Sequence, residues 1–129
     1  MSRNLDLSKT VLLVDDLDIL RKMVRDFLQS MGIEVLEASN AAKAIRTARS
    51  YPGTIDLLLT DIDMPRMSGW VSAKQIAALR PGIRILYMSG GISLREWKDY
   101  KGKPVGTYFI QKPFRLEELK ALLMAILSE

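Results

Sequence analysis

Asp56-Leu57-Leu58-Leu59-Thr60-Asp61-Ile62-Asp63-Met64-Pro65 is an apolar run that ends in acid. A second run, Val11-Leu12-Leu13-Val14, ends in the pair Asp15-Asp16. Runs this short do not make core helices, but they suit strands buried on both faces of a parallel sheet. If the two strands are neighbours, Asp15, Asp16, Asp61 and Asp63 converge at their carboxyl ends. Like charges so close repel strongly, and the cluster needs a cation or a proton to persist. A hard divalent cation meets that need.

Strand-like and helix-like segments alternate on either side of these runs, which predicts an α/β domain with a parallel sheet. Thr10–Asp15 reads as the first strand. Leu20, Met23, Val24, Phe27, Leu28 and Met31 recur at helical spacing, with Gly32 as the stop. Ile33–Ala38 is a short second strand. Asn40 caps a helix through Ser50, whose packing face is Ala41, Ala44, Ile45 and Ala48, and Pro52-Gly53 breaks it. Ile55–Thr60 is the third strand, the most apolar and hence central. Pro65 and Gly69 shape the next loop, Ser68 caps a helix to about Arg80, and Pro81-Gly82 ends it.

Ile83–Met88 is the fourth strand, and Gly90-Gly91 opens a loop into a short helix near Leu94–Lys101. Gly102 to Gly106 is a further breaker stretch before a fifth strand, Thr107–Gln111. Leu116, Leu119, Leu123, Ile126 and Leu127 mark a closing amphipathic helix. Five βα units thus fill one domain over residues 1–129, with a core from about 10 to 127. The expected architecture is a three-layer α/β/α sandwich.

Composition narrows the function classes. A chain of 129 residues with 48% hydrophobic and 26% charged content suits one globular domain. No apolar stretch approaches the roughly 18 residues of a membrane helix, and Met1–Asp6 lacks the apolar centre of a signal peptide. The absence of cysteine excludes disulfides and thiolate metal sites and is compatible with a cytoplasmic location. The absence of histidine excludes a histidine base, an imidazole-bound zinc and an internal phosphohistidine. Any phosphohistidine chemistry must therefore come from a partner. A net charge of +4 can favour acidic partners or nucleic acid, but it reads first as a solvated surface, and no direct binding to nucleic acid or membrane is expected.

Right-handed crossovers put helices on both faces of such a sheet, and ligands bind beyond the carboxyl ends of its strands. Asp15, Asp16, Asp61, Ser89 and Lys112 all fall there. Magnesium favours octahedral oxygen ligands, typically carboxylates with waters and a phosphate oxygen. Asp15, Asp16 and Asp61 can supply the carboxylates, and the backbone carbonyl of Asp63 a further oxygen; manganese would be accepted similarly. Asp61 can attack a phosphoryl group to give an acyl phosphate. Ser89 offers a hydroxyl, and Lys112 a positive charge, to phosphoryl oxygens. Each residue alone has an ordinary explanation as cap, turn or loop chemistry. Their coincidence at four strand ends does not.

Val14-Asp15-Asp16, Asp61-Ile62-Asp63-Met64-Pro65-Arg66-Met67-Ser68-Gly69, Met88-Ser89-Gly90 and Lys112-Pro113-Phe114, with their spacing, resemble the receiver domain of two-component response regulators. The resemblance runs from about Thr10 to Leu127. It implies a flavodoxin-like doubly wound sheet with strand order 2-1-3-4-5, of which the chemotaxis receiver is an example. It also implies magnesium-dependent phosphotransfer to Asp61 from a histidine kinase or histidine phosphotransfer protein. Asp15 and Asp16 would match the family's metal-binding pair, Ser89 its switch hydroxyl, Lys112 its lysine and Phe109 its switch aromatic. The phosphoryl group would draw Ser89 inward and Phe109 after it, altering the surface of the fourth helix, fifth strand and fifth helix. Phe109 has no hydroxyl to hydrogen-bond as a tyrosine would. The domain would act as a monomer or a phosphorylation-dependent dimer, passing its signal to a downstream protein or output domain. It would be no enzyme beyond catalysing its own phosphorylation and dephosphorylation.

Gly90-Gly91 departs from the family's common alanine after the switch hydroxyl, and Asp63 puts a carboxylate at a variable position. Asp63 and Gly91 are therefore expected to set the lifetime of the acyl phosphate. Arg95, Lys98, Lys101 and Lys103, interleaved with Trp97 and Tyr100, read as a solvated basic face whose aromatics cover the core; Trp70 reads as a packing anchor. Two other functions compete. One is a degenerate receiver that only binds partners, disfavoured because every residue of the phosphorylation site is present. The other is a haloacid-dehalogenase-like phosphatase, suggested by Asp61-Ile62-Asp63. That motif would usually follow the first strand with a threonine or valine two residues later; here it follows the third strand and Pro65 stands at that place. No output domain fits in the length, so the chain is a single-domain regulator or the receiver of a larger regulator or hybrid kinase.

Overall fold

The computed structural model describes residues 8–100 and 107–128. In chain order its elements are β1 (Thr10–Val14), α1 (Asp18–Ser30), β2 (Glu34–Ala38), α2 (Ala41–Ser50), β3 (Leu57–Asp61), α3 (Gly69–Leu79), β4 (Arg84–Ser89), α4 (Leu94–Asp99), β5 (Thr107–Gln111) and α5 (Leu116–Leu127). The strands form one parallel sheet in the order β2-β1-β3-β4-β5. The expected topology is the observed one. No helix among the described residues is long and apolar enough to cross a membrane.

Strand periodicity divides the core into two layers. Leu12, Val14, Leu58, Ile85 and Tyr87 face Ala41, Ala44, Ile45 and Ala48 of α2 and Ala73 and Ile76 of α3. Val11, Leu13, Leu57, Leu59, Leu86 and Met88 face Val24 and Leu28 of α1 and Leu119, Leu123 and Ile126 of α5. Every residue of β3 is buried. Each large aliphatic side chain fully withdrawn from water contributes roughly 1.5–3 kcal/mol, so this central strand anchors both layers.

The helix ends follow the capping chemistry of the sequence. Asn40 Oδ1 accepts the Lys43 N–H at 2.8 Å, and the Ser68 hydroxyl accepts the Val71 N–H at 3.4 Å. Ser93 and Glu96 form a capping box at the start of α4. Gly32 follows α1 with φ +84°, the left-handed conformation that closes a helix at least cost in glycine. The Lys112-Pro113 peptide is cis.

Beyond one-residue shifts at ends of β1, β2, β4 and α3, three local expectations change. β3 begins at Leu57 rather than Ile55, because Asp56 turns its carboxylate onto the Thr10 N–H at 2.8 Å. Within the described residues α4 ends at Asp99, and the breaker stretch with Lys101, Lys103 and Gly106 lies outside them. Met23, expected on the packing face of α1, is half-exposed, and Arg21 is buried there instead. Trp97 is buried beside exposed Arg95 and Lys98, as expected of aromatics beneath a solvated basic face. Trp70 lies partly buried between Tyr87 and Tyr100, with ring centroids at 4.5 and 4.3 Å.

Gly69 sets how closely α3 approaches the end of β3. A Cβ there would lie 2.2 Å from the Asp61 carbonyl oxygen and 2.9 Å from Ile62 Cα, so only glycine fits. The Gly69 N–H donates to the Ile62 carbonyl at 3.0 Å, tying the loop that carries Asp63 back onto the strand.

Candidate functional site

β1 and β3 are adjacent and in register from Val11–Leu57 to Val14–Thr60. Their next residues, Asp15 and Asp61, therefore emerge side by side at the carboxyl edge. Asp15, Asp16 and Asp61 each offer an oxygen within 4.8 Å of the others. Asp15 and Asp61 are buried, while Asp16 is half-buried. Lys112, from the end of β5, reaches across β4 to place Nζ 3.3 Å from Asp15 Oδ2 and 3.5 Å from Asp61 Oδ1. One ammonium cannot balance three carboxyl groups, and the oxygen-only donor set suits a hard divalent cation.

Backbone amides and a buried guanidinium fix these carboxylates. Asp15 Oδ1 accepts the Leu17 N–H at 2.9 Å, which turns the chain into α1 without a side-chain cap. Asp61 Oδ1 accepts the Asp63 N–H at 3.3 Å. Arg21 donates to the Asp15 carbonyl at 2.8 Å and pairs with Glu37 at 3.1 Å and Asp18 at 2.9 Å. It clamps the loop bearing Asp15 and Asp16 between α1 and β2. The sequence contained a signal for this residue: Arg21 precedes Val24 and Leu28 at helical spacing, on the buried stripe, with Asp18 one turn before it.

Ser89 closes β4 and is fully buried. Its hydroxyl donates to Asp63 Oδ2 at 2.7 Å and accepts the N–H groups of Gly91 and Ile92 at 3.0 and 3.1 Å. The Lys112 N–H donates to the Ser89 carbonyl at 2.9 Å, so lysine and serine share one backbone link. Gly91 sits directly under Asp63, whose carboxylate oxygens would lie 3.0 and 3.2 Å from a Cβ at that position. The side-chain contact of Asp63 with Ser89 had no counterpart in the sequence reading. Phe109 stands apart from this network, buried and stacked on Trp97 at 5.6 Å and 20°.

Burial pushes the Asp61 carboxyl up from its ordinary 3.8 to about 6; Lys112 opposes the rise and Asp15 adds to it. A carboxyl that binds its proton more tightly when folded stabilises the fold below its unfolded pKa, and that contribution is lost as pH rises through about 6. At pH 7.5 without metal, the ionised Asp61 costs the fold on the order of 3 kcal/mol relative to its neutral form. Asp61→Asn should therefore raise the melting temperature at pH 7.5 in chelator by several degrees, with the gain shrinking toward pH 4. A gain that is flat across this range would contradict the assignment.

Comparison with known proteins agrees with the geometry. The family model described as response regulator receiver domain matches residues 11–124. The response regulator receiver protein CpdR of Brucella abortus is 30% identical over 113 residues, covering 86% of this chain and 90% of CpdR. The autoinducer 1 sensor kinase/phosphatase LuxN of Vibrio campbellii is 32% identical over 116 residues, 90% of this chain but 13% of LuxN. The chain thus spans a small part of such sensor kinases and nearly all of CpdR. Among solved structures, a response regulator receiver protein from Sinorhizobium medicae is 30% identical with a TM-score of 0.81, covering 93% of this chain and 94% of that one. The receiver domain of the hybrid histidine kinase CckA gives a TM-score of 0.79 at 28% identity, covering 92% and 98%. The family match runs from the first strand into the last helix, and the chain belongs to the response regulator receiver domain family.

Proposed function

We propose that Asp61 accepts a phosphoryl group from a phosphohistidine on a partner histidine kinase or histidine phosphotransfer protein. The observation that carries this reading is a buried carboxylate set between one ammonium and two further carboxylates, in a chain without histidine. An Asp61 oxygen attacks phosphorus, and the P–N bond breaks as the P–O bond forms. The imidazole leaves with the electron pair and regains its proton from solvent. Water later attacks the phosphorus of the acyl phosphate, returning the carboxylate and free phosphate. Beyond its own phosphorylation and dephosphorylation the chain would catalyse no reaction, and it would act in the cytoplasm.

The carboxylates of Asp15, Asp16 and Asp61 and the Asp63 carbonyl would hold magnesium or manganese, which neutralises charge on the phosphoryl oxygens. Lys112 already touches both Asp15 and Asp61, so a small swing of its ammonium serves a phosphoryl oxygen. The Ser89 hydroxyl would donate a hydrogen bond to another. Movement of Ser89 is passed to Phe109 and the surface of α4, β5 and α5 as a population shift. Phe109 is already buried on Trp97, so this step repacks a ring pair rather than burying an exposed ring.

The donor has an approach on the α1 side. Leu17, Ile19 and Met23 are exposed, and a groove lined by Leu20, Met23, Gly90, Lys112, Pro113 and Phe114 continues from them to the lysine. Exposed apolar patches of this kind mark docking sites, here for the phosphohistidine-bearing partner.

Beryllofluoride, a phosphoryl mimic, should bind with magnesium and fail to bind without it or in Asp61→Asn. Binding to Asp61→Asn, or metal-independent binding, would overturn the phosphoacceptor reading in favour of a receiver that only binds partners. Ile19→Glu should slow transfer from a phosphohistidine donor about tenfold while leaving beryllofluoride binding unchanged; equal transfer rates would remove the docking role. Asp63 and Gly91 face each other over the Ser89 hydroxyl and would set the acyl phosphate lifetime. Asp63→Asn and Gly91→Glu should each change the decay rate severalfold, and unchanged rates would discard that role.

A further inference from the structure

The Ser89 hydroxyl has one proton to donate, and the structure shows where it goes at rest. It is donated to Asp63 Oδ2 at 2.7 Å. The Gly91 N–H lies 3.0 Å from Ser89 Oγ and 3.3 Å from the same Asp63 oxygen. An oxyanion thus already occupies the hydroxyl that a phosphoryl oxygen would require. Gly91 makes room for it, since any side chain there would crowd the carboxylate from about 3 Å. The β3–α3 loop and the β4–α4 loop are tied together by this contact, on either side of the strand ends that carry Asp61 and Ser89.

We propose that the Asp63 carboxylate is the resting-state partner of the Ser89 hydroxyl, an internal oxyanion that a phosphoryl group on Asp61 must displace. The proposal rests on the phosphoacceptor reading and adds a competitor to it. A single hydroxyl proton makes one strong hydrogen bond, so Ser89 cannot serve both anions. The arriving phosphoryl group also brings negative charge toward Asp63. Both effects hold the switch back until a full phosphoryl group is in place. Asp63 is itself exposed, so water is ready to solvate its carboxylate once Ser89 leaves. That keeps the competitor weak enough to be displaced. Asp63 acts here as a positioning residue, through Ser89.

The test is a double-mutant cycle in beryllofluoride affinity at saturating magnesium, read by fluorine NMR, on the native chain, Asp63→Ala, Ser89→Ala and the double variant. A hydrogen bond of this kind has a net worth of about 1 kcal/mol, which corresponds to roughly fivefold in affinity. Asp63→Ala should tighten binding by about that factor when Ser89 is present and by less than about twofold in the Ser89→Ala background. Equal tightening in both backgrounds would mean that Asp63 acts only through its charge, and no tightening would mean that it does not compete; either result overturns the proposal. Amide exchange at Gly91 and Ile92 reads the same contact in the resting protein without any phosphoryl mimic. Exchange there should quicken in Asp63→Ala and stay near native in Asp63→Asn, which keeps an acceptor. Native exchange rates in Asp63→Ala would overturn the proposal. If the native chain bound no beryllofluoride, the phosphoacceptor reading would fall, while the exchange rates would still decide the contact between Asp63 and Ser89.

Discussion

Among the described residues, three carboxyl groups share the Lys112 ammonium at the carboxyl edge of the sheet, and the rest of the site is arranged around that imbalance. Lys112 lies within 3.5 Å of both Asp15 and Asp61 yet cannot neutralise them together with Asp16. Burial makes the remaining charge expensive, and the raised proton affinity of Asp61 records that cost. A proton or a hard divalent cation would each relieve it.

The sheet makes the crowding possible. Parallel register puts Asp15 and Asp61 on neighbouring strands at the same level, and the crossover order leaves β1 and β3 adjacent in the centre. The two apolar layers on either face supply the stability that offsets a destabilising cluster. Gly69 and the Arg21 clamp then hold the two flanking loops close, one by lacking a side chain and the other by spanning α1, β2 and the Asp15 carbonyl. Neither touches the clustered carboxylate oxygens, and both determine where those oxygens stand.

Much of this was legible in the chain. The runs at Val11–Val14 and Leu57–Thr60 announce buried strands because no polar residue interrupts them before Thr60, and the acids that end them could only cluster. Asn40 and Ser68 are caps by chemistry, and both cap. What the sequence did not display was contact between loops. The Asp63 side chain meets Ser89 through the conformations of two turns, which no spacing rule specifies. Arg21 defied the rule that charged residues face water, because Asp18, Glu37 and a backbone carbonyl satisfy its donors in place. Met23 missed its layer for the complementary reason: that stripe of α1 was already filled, which left an apolar side chain beside the lysine loop.

Whether the crowded carboxylate on β3 accepts the phosphoryl group is decided by chemical trapping. The protein would be phosphorylated by a phosphohistidine donor with magnesium, reduced with borohydride to convert any acyl phosphate to homoserine, and mapped by peptide mass. Homoserine is expected at position 61 alone, and none when the metal is chelated. Homoserine at Asp15, Asp16 or Asp63, or labelling that persists in chelator, would contradict that role.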